Sequence, residues 1–284
     1  MKIAWIGTGV MGKAMLNHLI DAKHELHVYN RTFNKIKDIP TPYKYDSLKE
    51  CIQDCDVVFT MVGYPQDVED IYFNDGILKY AKKGAILIDM TTSSPDLAIK
   101  IANVSSDYEV LDAPVSGGDS GAKNATLSIM VGGNKNTYDK MYDLFAHLGT
   151  NVNYIGSHGL GQHCKMCNQI AVAGATAAMS EALIYMEAYN LNSDIVLKAI
   201  GSGAAQSWQL NNMAPRVLSN DFDPGFFIKH FTKDMRIAKR EIEKTGIHLN
   251  MLDSVYKMYE YLEHNGLGEY GTQALIKYYK SKHK

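Results

Sequence analysis

The chain has 284 residues, enough for two domains, and its 46% hydrophobic and 21% charged content is that of an ordinary globular protein. A formal net charge of −2 with no lysine or arginine block excludes the basic footprint of a nucleic-acid-binding surface, and the short basic tail at 277–284 reads as a solvated terminus. No apolar run approaches the length needed to cross a bilayer, and the first residues read as a strand rather than a signal peptide, so a cytoplasmic protein with neither membrane nor nucleic acid as partner is expected.

Lys2–Ile6, β-branched and aromatic, reads as a strand that feeds Gly7-Thr8-Gly9-Val10-Met11-Gly12 and then an amphipathic helix reaching Ile20. This is a dinucleotide fingerprint in its proper setting. Gly7 allows the tight turn, Gly9 lets a pyrophosphate approach the backbone, and Gly12 lets helix and strand pack closely. The phosphates would meet the unpaired amides of the helix that begins near Val10. The second strand, Glu25–Tyr29, ends in Asn30-Arg31-Thr32. NAD sites usually carry a carboxylate there for the ribose hydroxyls. Asn30 has no charge to repel a 2′-phosphate, Arg31 offers a planar fork and Thr32 a hydroxyl, so NADP is expected ahead of NAD. The other reading is that Arg31 stacks on adenine or is a solvated charge, which leaves NAD acceptable.

Further apolar runs at 57–61, 85–88, 109–111, 128–131 and 152–155 read as strands, and 47–53, 66–72, 95–103 and 135–148 as helices. The alternation predicts an α/β fold, a Rossmann-type doubly wound parallel sheet occupying residues 1–160. Gly156, Gly159 and Gly161 then mark a hinge. Beyond them the strand signal stops, and helical patterns at 162–189, 194–200, 227–244, 251–263 and 273–279 predict an all-α domain over 161–284, with a long central helix. That helix is small and apolar on nearly all sides, so burial is expected. It could pack against a copy of itself, giving a homodimer or homotetramer, or be the core helix of a monomer. Cys51 and Cys55, and the C-x-x-C of Cys164 and Cys167, lack a second ligand pair at zinc spacing; packing roles and no metal are expected.

A bound nicotinamide requires an acid or base at the reacting oxygen and anchors for the rest of the substrate. Asp112-Ala-Pro-Val-Ser-Gly-Gly118 follows a predicted strand, and Ser116 with the amides of Gly117 and Gly118 could hold a carboxylate. In Gly159-Leu-Gly-Gln-His-Cys-Lys165-Met-Cys-Asn168, Lys165 and Asn168 share a helix face. A lysine entering an apolar helix can have its proton affinity lowered by desolvation and can donate to a developing alkoxide; its bland reading is a snorkelling lysine. Lys233 could reach the cofactor or a substrate carboxylate with Asp234 fixing it, or the two could form a surface ion pair. Ser207 and Trp208 could line the pocket, with a core role for the tryptophan as the equal alternative.

Gly-Thr-Gly-Val-Met-Gly12 with Met15, Asp112-Ala-Pro-Val-Ser-Gly-Gly with Gly121-Ala122, Gly159-x-Gly161-x-x-x-Lys165-x-x-Asn168 and Lys233-Asp234, in that order over essentially the whole chain, resemble the β-hydroxyacid dehydrogenase, or 3-hydroxyisobutyrate dehydrogenase, family. The resemblance implies a Rossmann-type domain followed by an all-α domain, and an NAD(P)-dependent oxidoreductase that interconverts a short-chain 3-hydroxy acid and its semialdehyde. Carried onto matching positions it makes Lys165 the general acid and base, Asn168 its orienting partner, and Ser116, Gly117 and Gly118 the carboxylate anchors. It adds Val62, Gly63, Thr92 and Lys233 to the cofactor-binding set of Gly7 to Gly12 and Asn30 to Thr32. This chain departs from the family pattern at Gly63, often proline, Ala125, usually glycine, Gln169, often a second asparagine, and His230, typically apolar. Imine reduction on a similar scaffold and a silent dinucleotide-binding scaffold or sensor are the rivals. 6-Phosphogluconate dehydrogenase shares related motifs but has a longer C-terminal region.

Overall fold

A continuous apolar run in Lys2–Ile6 sets the first strand, β1, between two cores: Ile3 and Trp5 face one side of the sheet, Ala4 and Ile6 the other. The structure is a computed structural model describing residues 1–104 and 106–282, and the chain divides into two units, Met1–Lys165 and Met166–Lys284. In the first unit β1 is joined by β2 (Glu25–Tyr29), β3 (Lys44–Tyr45), β4 (Val57–Thr60), β5 (Ile86–Asp89), β6 (Glu109–Asp112), β7 (Val115–Ser116), β8 (Ser128–Gly133) and β9 (Asn151–Gly156). Helices α1 (Val10–Asp21), α2 (Leu48–Ile52), α3 (Pro65–Phe73), α4 (Ile77–Tyr80), α5 (Pro95–Val104), α6 (Gly118–Lys123) and α7 (Lys135–Ala146) connect them.

The sheet runs β3-β2-β1-β4-β5-β6-β8-β7, with β9 on β8. Its first six strands are parallel in the Rossmann order, and helices cover both faces: Met15, Leu16 and Leu19 of α1 with Phe145 of α7 on one, Val68 and Tyr72 of α3 with Ile101 of α5 on the other. The expectation of a wholly parallel sheet fails at β8, which is antiparallel to both β6 and β7. Between β7 and β8 the chain holds only the six-residue α6, too short a crossover to bring the next strand back parallel. The two-residue strands β3 and β7 carry no periodicity to read, and glycines in α6 disguise it as a loop.

Ala125, where the family usually has glycine, adopts φ +53° in the turn after α6. A Cβ in that left-handed conformation costs about 1 kcal/mol. Ala125→Gly is therefore expected to raise the urea midpoint of unfolding, equivalent to about 0.5–1 kcal/mol, with activity unchanged.

Helix α8 (Leu160–Ala188) starts at the end of the first unit and continues into the second. There α9 (Ser193–Ile200), α10 (Ala214–Leu218), α11 (Ile228–Glu243), α12 (Asn250–Leu262) and α13 (Ile276–Lys282) complete an all-helical unit whose core includes Phe231, Met235, Leu252 and Tyr259. Against expectation α8 is not buried all round: Ala173, Met179, Leu183 and Met186 are buried, but Ala171, Ala178, Glu181 and Tyr185 are exposed. The core reading of Trp208 is likewise corrected, its side chain being 60% exposed. In the basic tail, Lys277 lies over the Phe222 ring and Lys280 pairs with Glu187; residues 283 and 284 fall outside the described residues.

Candidate active site

The turn after β1 is fixed by its own backbone. Gly7 has φ +95°, and a Cβ there would collide with the Met61 carbonyl; its amide donates to Tyr29 O at 3.0 Å. Trp5, read from sequence only as a strand residue, donates its indole N–H to Gly7 O at 2.9 Å. That same carbonyl occupies the space a Cβ on Gly12 would need. The first backbone hydrogen bond at the start of α1 is Lys13 N–H to Gly9 O, so the amides of Val10, Met11 and Gly12 have no acceptor within the helix, and the first turn holds no acidic side chain. A Cβ on Gly9 would meet nothing within 4 Å, and the Thr8 hydroxyl is buried without a hydrogen-bond partner. Free amides, an open approach at Gly9 and an orphan hydroxyl together fit a dinucleotide pyrophosphate.

The other cofactor candidates of the first unit fall on the carboxyl ends of neighbouring strands, where the strand order changes direction about β1 and β4. Asn30, after β2, accepts from the Thr8 amide at 3.3 Å and donates to Thr32 O at 3.0 Å, lacing its loop to the fingerprint. The Arg31 side chain is 88% exposed, and its guanidinium lies 3.6 Å from Asp67 Oδ1. After β4, the Val62 amide donates to the Thr91 hydroxyl at 3.0 Å, joining the Val62-Gly63 loop to the one carrying Thr92 after β5. Below them Thr60 donates to Asp89 Oδ1 at 2.8 Å.

Ser116 lies in β7 opposite Ser128, and Gly117 at φ +132° turns the chain into α6 at Gly118. At the end of β6 sits Asp112, 2% exposed. Its two oxygens accept the amides of Gly159 at 2.8 Å and Gln162 at 2.9 Å, capping the start of α8. Burial pushes this carboxyl up to about 6, the two amides opposing that rise and neighbouring Asp89 adding to it. Lys165 follows on the same helix, 6% exposed.

In the second unit Asn168 donates to Gln169 Oε1 at 2.7 Å, Gln169 donates to Asp234 Oδ2 at 2.5 Å, and Asp234 Oδ1 lies 2.8 Å from the Lys233 ammonium. Gln169, Lys233 and Asp234 are 3%, 8% and 1% exposed, so the lysine–aspartate pair is buried rather than a surface ornament. Sequence reasoning noticed Gln169 only as a departure from pattern and missed its role as the link between Asn168 and Asp234. Cys51 and Cys55 are packed in the core, where burial drives the Cys55 thiol up to about 12, whereas Cys167 is exposed and the packing role expected of it fails there. Among the described residues no cluster suits a metal ion, and no helix is long and apolar enough to cross a membrane.

Residues 2–156 match the family model described as the NAD binding domain of 6-phosphogluconate dehydrogenase, and residues 159–279 that described as NAD-binding of NADP-dependent 3-hydroxyisobutyrate dehydrogenase. The chain is 42% identical to the probable 3-hydroxyisobutyrate dehydrogenase-like 1, mitochondrial, of Arabidopsis thaliana, over 97% of this chain and 84% of that one. It is 33% identical to the 2-hydroxy-3-oxopropionate reductase of Escherichia coli, over 97% and 96%. The Mycobacterium tuberculosis 3-hydroxyisobutyrate dehydrogenase solved with L-serine superposes with a TM-score of 0.89 at 26% identity, over 97% and 98%. With a fingerprint suited to a dinucleotide and both units matched, the chain belongs to the β-hydroxyacid dehydrogenase, or 3-hydroxyisobutyrate dehydrogenase-like, family of NAD(P)-binding oxidoreductases.

Proposed function

We propose that this enzyme interconverts a short-chain 3-hydroxy acid and its semialdehyde, with Lys165 as general acid and base and NADP preferred to NAD. The observation that carries the reading is Lys165 itself, a lysine 6% exposed in the first turns of α8. The nicotinamide supplies or accepts the hydride when bound. In the reducing direction the Lys165 ammonium gives its proton from Nζ to the carbonyl oxygen as that oxygen gains charge, and in the oxidising direction the neutral amine takes the proton back. Asn168, three residues on, shares the lysine's helix face and orients it, its own amide steadied by Gln169. Ser116 and the amides of Gly117 and Gly118 anchor the substrate carboxylate, and Lys233 is a cofactor-binding residue. The names of the Escherichia coli and Mycobacterium tuberculosis relatives support 2-hydroxy-3-oxopropionate, and 3-hydroxyisobutyrate with its semialdehyde 2-methyl-3-oxopropanoate, as the first compounds to try.

A panel of small semialdehydes tests this, with oxidation of NADPH and NADH followed by absorbance; turnover of none, despite cofactor binding, would overturn it. The NADP preference rests on Arg31, uncharged Asn30 and Thr32. Arg31→Ala is expected to weaken NADPH about 10-fold more than NADH, the scale of one charge-assisted phosphate contact. An equal effect on both would remove Arg31 from phosphate recognition. Assembly as a homodimer or homotetramer completes the reading, supported by the exposed Ala171, Ala178 and Tyr185 on α8, and is tested by light scattering of the purified protein.

A further inference from the structure

Thr91, Thr92 and Ser93 form the loop after β5, and one side chain grips it from both sides of Thr92. Gln162, 0% exposed, donates its amide N–H to Thr91 O at 2.8 Å and accepts the Ser93 amide at 3.0 Å. Gln162 stands three residues before Lys165, on the same side of α8. Its backbone amide is in turn held by Asp112 Oδ2, while Oδ1 of the same carboxylate holds Gly159. The mount is close-packed. A Cβ on Gly161 would strike the carbonyls of Met130 and Asp112, and one on Gly132 would come within 2.6 Å of Asp112 Oδ1 and 2.7 Å of the Gly161 amide. The hinge expected from the glycines at 156–161 is thus corrected at Gly161, which allows helix and sheet to touch.

We propose that Gln162, backed by Asp112, is the positioning residue that registers Lys165 against the loop bearing Thr92. The proton donor and the cofactor-contacting loop then move as one body. This rests on the reading of Lys165 as the acid and base. Proton transfer tolerates little displacement, since about 1 Å of misplacement can cost about 100-fold in rate. A buried amide making two hydrogen bonds to the backbone on either side of one residue fixes both distance and rotation, which a single contact does not. The carboxylate fixes the helix end independently of the loop.

Gln162→Met keeps the side chain's length and removes both loop bonds, whereas Asp112→Asn touches only the helix end, replacing one acceptor by a donor that faces an N–H. In cofactor-free protein, both variants are expected to speed hydrogen exchange at amides 159–165 about 10-fold or more relative to wild type. With NADPH and 2-hydroxy-3-oxopropionate or another semialdehyde that turns over, each lowers kcat about 10- to 100-fold. NADPH affinity, by fluorescence titration, falls by less than about threefold. In a Lys165→Ala background the further loss of kcat shrinks to within about threefold, because a residue acting through the lysine has nothing left to position. An undiminished loss in that background, or one appearing as NADPH affinity, would show a structural buttress and overturn the proposal. Unchanged exchange at 159–165 in both variants would also overturn it. Wild-type turnover by Lys165→Ala alone would instead bring down the reading of the lysine, and this inference with it. If Gln162→Met fails to fold, Asp112→Asn carries the same comparison.

Discussion

Lys165→Ala is expected to lower kcat about 10²- to 10⁴-fold, corresponding to about 3–5 kcal/mol of lost transition-state stabilisation. NADPH affinity should stay within about threefold of wild type, since the lysine's contribution falls on the reacting oxygen and not on the pyrophosphate. The physical basis is the lysine's place. Its side chain is withdrawn from water at 6% exposure, so a proton delivered from Nζ does not compete with bulk solvent for the alkoxide. Lys165→Arg sharpens the test. A guanidinium keeps the positive charge and its attraction for an anionic substrate but does not release a proton near neutral pH. It is therefore expected to retain KM better than alanine does while losing a comparable share of kcat. Stopped turnover with intact NADPH titration supports the acid/base role. A parallel collapse of cofactor affinity would make Lys165 a binding residue, and unimpaired turnover would hand the chemistry to another group.

Much of the first unit was legible because the information is local. Glycines at 7, 9 and 12 between an apolar strand and an amphipathic helix have one economical explanation, and the strand ends bearing Asn30 and Thr92 follow from alternation alone. Lys165 and Asn168 could be placed on one helix face by counting residues. What stayed hidden depends on contacts between distant segments. Asp112 looked like the first letter of a loop motif, yet its carboxylate caps a helix some fifty residues further on, bonding Gly159 and Gln162. Gln162 looked like filler between a glycine and a lysine, and its grip on Thr91 and Ser93 spans about seventy residues. Ala125 showed only as a departure until its φ of +53° explained why glycine suits the place. The reversed β8 escaped because strand direction is set by the crossover, and α6 gave no helical signal to measure. Helix α8 misled in the other direction, since a run of alanines reads as buried whether or not a neighbour covers it.

Gly9→Ala and Gly12→Ala should separate the two tasks that the fingerprint combines. A methyl on Gly9 meets no protein atom within 4 Å and extends into the approach that the pyrophosphate needs. Thermal stability should therefore be unchanged, while NADPH affinity falls about 10- to 100-fold from lost backbone contact. A methyl on Gly12 instead runs into the Gly7 carbonyl, whose position is fixed from the other side by the Trp5 indole at 2.9 Å. Neither partner can yield cheaply, because Gly7 is itself pinned at φ +95° against Met61 and bonded to Tyr29. The helix must lift off the strand, an overpacking cost of about 1–3 kcal/mol or more, and its free amides leave the phosphate site with it. Gly12→Ala is thus expected to lower the melting temperature by several degrees, roughly 2–4 °C per kcal/mol for a chain near this size, and to weaken NADPH about 100-fold or more. Thermal unfolding without ligand and fluorescence titration with NADPH, run on both variants, read the two effects separately. Equal destabilisation by both substitutions would mean that Gly9 also serves packing. Normal cofactor affinity in Gly12→Ala would mean that the start of α1 does not hold the phosphates.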